Sequence, residues 1–141
     1  MKSPLQPILP AGWSRAKGFS YGMLARSGNI LLIAGQLAVT DGTAAVPHGL
    51  SLAEQFALCL RNVVGVVRAA GGQPEDVAAL RAFVTDMAAF KNAQSEIGTA
   101  WRATLGAHFP AMTLVEVSGL FETTAVVEIE GTAIIQEVSR S

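Results

Sequence analysis

The chain has 141 residues, half of them hydrophobic and 15% charged, with a formal net charge of -1 at pH 7. Its mean hydropathy of +0.40 exceeds what a lone domain of this size comfortably hides, so part of the apolar surface is expected to be buried between copies of the chain. The balanced charge, with no cluster of Lys or Arg, argues against nucleic acid as a partner, and a single cysteine, Cys59, excludes an internal disulfide framework or a thiolate-rich metal site.

The first ten residues, MKSPLQPILP, have no apolar run of signal-peptide length, which makes a cytoplasmic location the expectation. Pro4, Pro7 and Pro10 each fix φ and lack a donor, so residues 1–18 are predicted to form an extended arm outside any ladder. A strand from Tyr21 to Arg26, a turn at Ser27-Gly28-Asn29 and a return strand from Ile30 to Leu37 form a predicted hairpin, because Gly and Asn tolerate the positive φ of tight turns. Asp41 to Gly49 then reads as a loop.

Ser51 with Glu54 three residues later is a capping-box spacing that starts a helix. Leu52, Phe56, Cys59, Leu60, Val63, Val66 and Val67 make its apolar face, and Gly71-Gly72 stops it. Arg61, Asn62 and Arg68 interrupt the apolar runs, which stay short of the roughly 18 residues a membrane span needs, so no membrane is expected as a partner. Cys59 on that face is predicted to be a buried, unreactive thiol.

Val77 to Thr85 is a predicted strand with Leu80, Ala82 and Val84 on one face and Arg81, Phe83 and Thr85 on the other. A second helix is predicted from Ala88 to Leu105, with Phe90, Ile97 and Trp101 on one side and Gly106 closing it. Two strands follow, Met112 to Leu120 and Ala125 to Ile135. The order ββαβαββ predicts a single α+β domain over residues 1–141, with helices on one face of one sheet and the other face in need of a cover.

Candidate chemistry is concentrated on the last two strands. Glu128 and Glu130 share a face of the final strand, and Glu116 lies on the one before. A carboxylate in a half-buried strand must be paired, hydrogen-bonded or shifted in pKa, so general acid/base work and a structural ion pair or backbone bond are both open. Tyr21 is placed either to donate a hydrogen bond into a cleft or to pack. His48 and His108 have no companion ligands at metal-binding spacing, so no metal is expected; glycine spacing matches neither dinucleotide nor P-loop patterns, so no cofactor is expected.

Several segments, in order, resemble the RidA/YjgF family: Gly28-Asn29 with Ala34-Gly35-Gln36; Gln55, Asn62 and Ala69-Ala70-Gly71; Phe83-Val84-Thr85-Asp86-Met87; Phe109-Pro110-Ala111; Val115-Glu116-Val117; and Val127-Glu128-Ile129-Glu130. The similarity spans about residues 19–135. It implies a chorismate-mutase-like α+β fold that forms a homotrimer with small-molecule clefts between subunits. It also implies a deaminase or related hydrolase, of the 2-aminomuconate deaminase kind, acting on an enamine, imine or related carbonyl metabolite.

Carried over residue by residue, the resemblance makes Glu128 and Tyr21 the catalytic candidates and Met112, Gly35, Thr113 and Leu114 the ligand-binding ones. Met112 stands where the family places a carboxylate-binding arginine. A thioether cannot make a bidentate charge-assisted pair, so the substrate is expected to differ from small 2-imino acids. Arg15, Lys17, Arg26, Arg81 and Arg102 are candidate replacement anchors. The alternative is a non-catalytic small-molecule-binding or chaperone-like trimer; an RNA-directed role is least supported because no basic patch accompanies it.

Overall fold

The computed structural model describes residues 4–40 and 45–137. In chain order the elements are β1 (Leu5–Ile8), β2 (Gly22–Ala25), β3 (Asn29–Gln36), α1 (Leu52–Ala69), a 3-10 turn (Pro74–Asp76), β4 (Val77–Val84), α2 (Met87–Asn92), α3 (Gln94–Thr104), β5 (Ala111–Glu116) and β6 (Val127–Ile135). Four strands form the main sheet in the order β3-β6-β4-β5. β6 runs antiparallel to both of its neighbours, while β4 and β5 are parallel and joined through α2 and α3.

The capping box at α1 is present as the spacing predicts: the Ser51 hydroxyl accepts from the Glu54 N–H at 3.1 Å, and the Glu54 carboxylate accepts from the Ser51 N–H at 3.3 Å. Phe56, Cys59, Leu60, Val63 and Val67 of this helix are buried with Leu80, Ala82 and Val84 of β4 and Val127 and Ile129 of β6, in one core on one side of the sheet. Gly71, at φ +86°, ends the helix in the left-handed conformation that glycine adopts without a Cβ penalty.

Four expectations are corrected. The hairpin between the first two predicted strands does not form: β2 pairs instead with β1, in the register Leu5↔Ala25 to Ile8↔Gly22, and β3 pairs with β6. The arm therefore contains a strand, because a proline is tolerated where its donor-less side faces away from a partner, as at Pro7 in a two-stranded ribbon. The second helix is two, α2 and α3, separated at Ala93 (φ -100°, ψ 12°); the Phe90, Ile97, Trp101 spacing persists across the break. β5 ends at Glu116, where its partner β4 ends at Val84; Val117 keeps one bond to β4, its N–H donating to Val84 O at 2.8 Å, and Ser118 to Leu120 leave the sheet. Residues 41–44 of the predicted loop, and the first three residues of the arm, lie outside the described residues.

No helix among the described residues is long and apolar enough to cross a membrane. Opposite the helices the sheet face is open, and Ile30 and Leu32 of β3 are 69% and 77% exposed there.

Candidate functional site

Two of the three strand glutamates have structural partners. Glu130 lies directly across from Arg81 in the β4–β6 register and accepts from its Nε at 2.8 Å, a cross-strand ion pair on the open face. Glu116, at the end of β5, accepts from the Met87 N–H at 2.9 Å and so satisfies one orphan donor at the start of α2. Glu128 has neither: among the described residues its carboxylate takes part in no hydrogen bond or ion pair.

The space that Glu128 occupies is left by an absent side chain on the neighbouring strand. A Cβ built at Gly35 would lie 2.0 Å from Glu128 Oε1 and 2.9 Å from its Cδ, so only glycine leaves the carboxylate room to rest over β3. The ladder between β3 and β6 is irregular here, shifting between Ile33 and Gln36, as bulges near sites often do. α1 fastens both strand ends beside this notch. The Asn62 amide donates to Leu37 O and Val39 O, each at 2.9 Å, holding the exit of β3. Gln55, buried, donates to Thr124 O and accepts from the Val126 N–H, each at 2.9 Å, holding the approach to β6.

Cys59 Sγ–H donates to Val127 O at 3.6 Å, one residue from Glu128. Burial, reinforced by the negative charge of Glu128, pushes this thiol from its ordinary 9.0 up to about 12, so it is not a thiolate nucleophile at neutral pH. His108 is likewise engaged, its ring Nε2–H donating to Val77 O at 2.7 Å.

Met112 and Leu114 lie elsewhere. They line a cavity of about 860 Å³ beneath α3, together with Phe56, Phe90, Ile97 and Trp101, a size that suits a small organic ligand. Strand alternation turns Thr113 to the opposite, open face, across from Arg81. Tyr21 is half-exposed and lines a second pocket of about 220 Å³ with Arg15. Its ring stands edge-on to Trp13 and Phe19, with centroids 4.9 and 5.5 Å apart, and Phe19 lines both cavities.

The predicted residues thus fall into two groups. Gly35 and Glu128 meet on the β3 side of the sheet, on the open face; Met112 and Leu114 meet beneath the helices at the β5 edge, with Tyr21 beyond Phe19. Edge strands β3 and β5 are three inter-strand spacings apart, about 14 Å. Lys17, Gln94, Gly98 and Arg102 of the cavity were not selected by sequence reasoning; Lys17 and Arg102 figured there only among five candidate cations, since nothing in one dimension says which reaches Met112.

With its helices on one face and the other left open, this four-stranded mixed sheet has the build of a YjgF-type α+β protein. The family model described as Endoribonuclease L-PSP matches residues 14–135, and the chain belongs to that family. It is 32% identical over 107 residues to the RutC family protein PM1466 of Pasteurella multocida, covering 76% of this chain and 81% of that protein. The solved structure of the Rid-family protein YyfB from Yersinia pestis is similar at TM-score 0.80 and 29% identity, covering 94% of this chain and 99% of that one. That of the YjgF gene product from E. coli is similar at TM-score 0.62 and 26% identity, covering 95% and 98%.

Proposed function

We propose that this protein hydrolyses an enamine, imine or related metabolite to a carbonyl compound and ammonia, in clefts that a second copy of the chain completes as three copies close a ring. The observation that carries the reading is the unpartnered carboxylate of Glu128 over Gly35, where Glu116 and Glu130 each already have a partner. A half-buried carboxylate on an inner strand, without a hydrogen-bond partner, is suited to move a proton.

Glu128 and Met112 sit toward opposite edges and opposite faces of one sheet, so one small ligand does not touch both in a single chain. Laying the β3 edge of one copy beside the β5 edge of the next brings the carboxylate to the mouth of the cavity, and the exposed Ile30 and Leu32 supply apolar surface for the same association. In that cleft Glu128 takes a proton from water as its oxygen bonds to the C=N carbon. It then passes that proton to nitrogen, giving a carbinolamine, and moves the carbinolamine hydroxyl proton to nitrogen as the C–N bond breaks, so that both protons of the water leave on ammonia and a C=O remains; the Tyr21 hydroxyl orients the ligand. An enamine first takes a proton on carbon and gives one up from nitrogen to become the imine.

Incubation of the pure protein with enamines generated in situ, 2-aminoacrylate and 2-aminomuconate among them, tests this by ammonia release. Glu128→Gln is expected to cut turnover about 10²- to 10⁴-fold with ligand binding retained, and Gly35→Ala to impair turnover by displacing the same carboxylate. No release above the buffer rate from any substrate would remove the hydrolase. The apolar floor at Met112 favours the second reading, a binding protein without turnover; an inactive parent that still binds ligand would establish it.

A further inference from the structure

The cavity beneath α3 is apolar in its depth and cationic at its mouth. Phe56, Phe90, Ile97 and Trp101 are all buried and line it, with Met112 and Leu114 contributed by the sheet. Trp101 and Phe109 are near parallel, 9° apart with centroids at 6.1 Å, and give it a flat aromatic side. The charged residues of the lining are Lys17 and Arg102, both exposed, and no carboxylate of the described residues accompanies them.

The two cations reach this opening from separate elements. Arg102 is in the last turn of α3, one turn after Gly98, where a Cβ would stand 3.4 Å from its Nη1. Gly98 weakens a helix interior relative to alanine, and its bare surface leaves the guanidinium room to lie back along the helix beside the cavity. The guanidinium makes one long bond, to Thr99 Oγ1 at 3.4 Å, so most of its five donors are open to a ligand. Lys17 is set by Gly18, at φ +83°, and by Ser20, whose N–H donates to Pro110 O at 3.0 Å and whose hydroxyl donates to Phe109 O. Among the described residues Lys17 has no ion-pair partner.

We infer that this cavity binds carboxylates carrying an apolar body of ring size or larger, with Arg102 and Lys17 gripping the carboxylate at the mouth and the apolar end lying inward against Met112 and Leu114. A cation at position 112 would draw the anion down to the sheet; methionine there and the pair at the rim reverse the ligand end for end. Exposed charges alone hold a small acid weakly, so affinity depends on the apolar body displacing water from the aromatic interior. The inference concerns binding and orientation in this one cavity and stands whether or not ammonia is ever released.

Calorimetric titration of the full-length protein with 3-phenylpropionate, 3-phenylpropionamide and propionate tests it. 3-Phenylpropionate is expected to bind about tenfold or more tighter than either comparison compound, one lacking the charge and the other the ring. Arg102→Gln with Lys17→Gln, both exposed positions, is expected to remove about tenfold for the acid and leave the amide unchanged. Met112→Arg is expected to shift preference toward propionate by placing a cation on the floor. Equal binding of acid and amide, an acid affinity untouched by the double substitution, equal losses for acid and amide, an unchanged preference in Met112→Arg, or no heat with any probe would each overturn the assignment. Failure of the ammonia assay leaves this titration intact, so the two ideas fall separately.

Discussion

The two faces of the main sheet are built from similar residues and have opposite fates. Beneath the helices, Leu80 is 1% exposed among valines, leucines and Phe56; on the other side Leu32 is 77% exposed. The open face also carries the Arg81–Glu130 pair and the Glu128 carboxylate, whereas on the core side the polar groups of α1, the Cys59 thiol and the Gln55 and Asn62 amides, are engaged in backbone bonds. One face is finished by its own chain, and the other has the composition of a surface awaiting a partner.

Truncating the same side chain on each face breaks this comparison most sharply. Leu80→Ala is expected to cost about 2–5 kcal/mol at any protein concentration. Leu32→Ala is expected to cost about 1.5–3 kcal/mol where copies are assembled and to fall within about 0.5 kcal/mol on dilution. Urea denaturation over a hundredfold range of concentration, read beside sedimentation, distinguishes them; a Leu32→Ala effect that ignores concentration would mean that no copy covers this face.

Cys59 sharpens the covered side. Its native pKa of about 12 lies above the ordinary 9.0, so between these values the unfolded chain releases a proton that the native one keeps. Stability from this group is complete below pH 9 and is lost as pH rises toward 12, by about 1.4 kcal/mol per pH unit. Subtracting the alkaline denaturation curve of Cys59→Ala from that of the parent should isolate this slope; parallel curves would show that the thiol is wetter than its burial implies.

The smallest effect belongs to Arg81→Gln. Its pair with Glu130 is 42% and 36% exposed, so in the separated chain the loss should be below about 1 kcal/mol. A larger loss that appears only in the assembled protein would place the pair inside an interface. A double-mutant cycle with Glu130→Gln measures it directly.

Much of this was legible from local pattern. The Ser51/Glu54 box, the apolar face of α1 and the alternation of β4 and β6 depend on neighbours within a few residues, and all appear. The partner of β2 was not legible, because alternation reveals which side of a strand is buried but not which strand lies beside it, and β1 and β3 compete for the same edge. Nor was the break at Ala93, since Phe90, Ile97 and Trp101 keep their helical spacing through it. The residue types of the site were readable, but their division between two sheet edges follows from the order β3-β6-β4-β5, which is a property of long-range pairing. Arg102 was one cation among five until α3 was laid over β5.

The sealing of Cys59 has a practical outcome. Since the chain has one native thiol and it is enclosed, a cysteine introduced at Phe121, a side chain 93% exposed, would be the sole sulfur open to a maleimide. Dyes attached there would report, by energy transfer within single particles, how many copies travel together and how quickly they exchange.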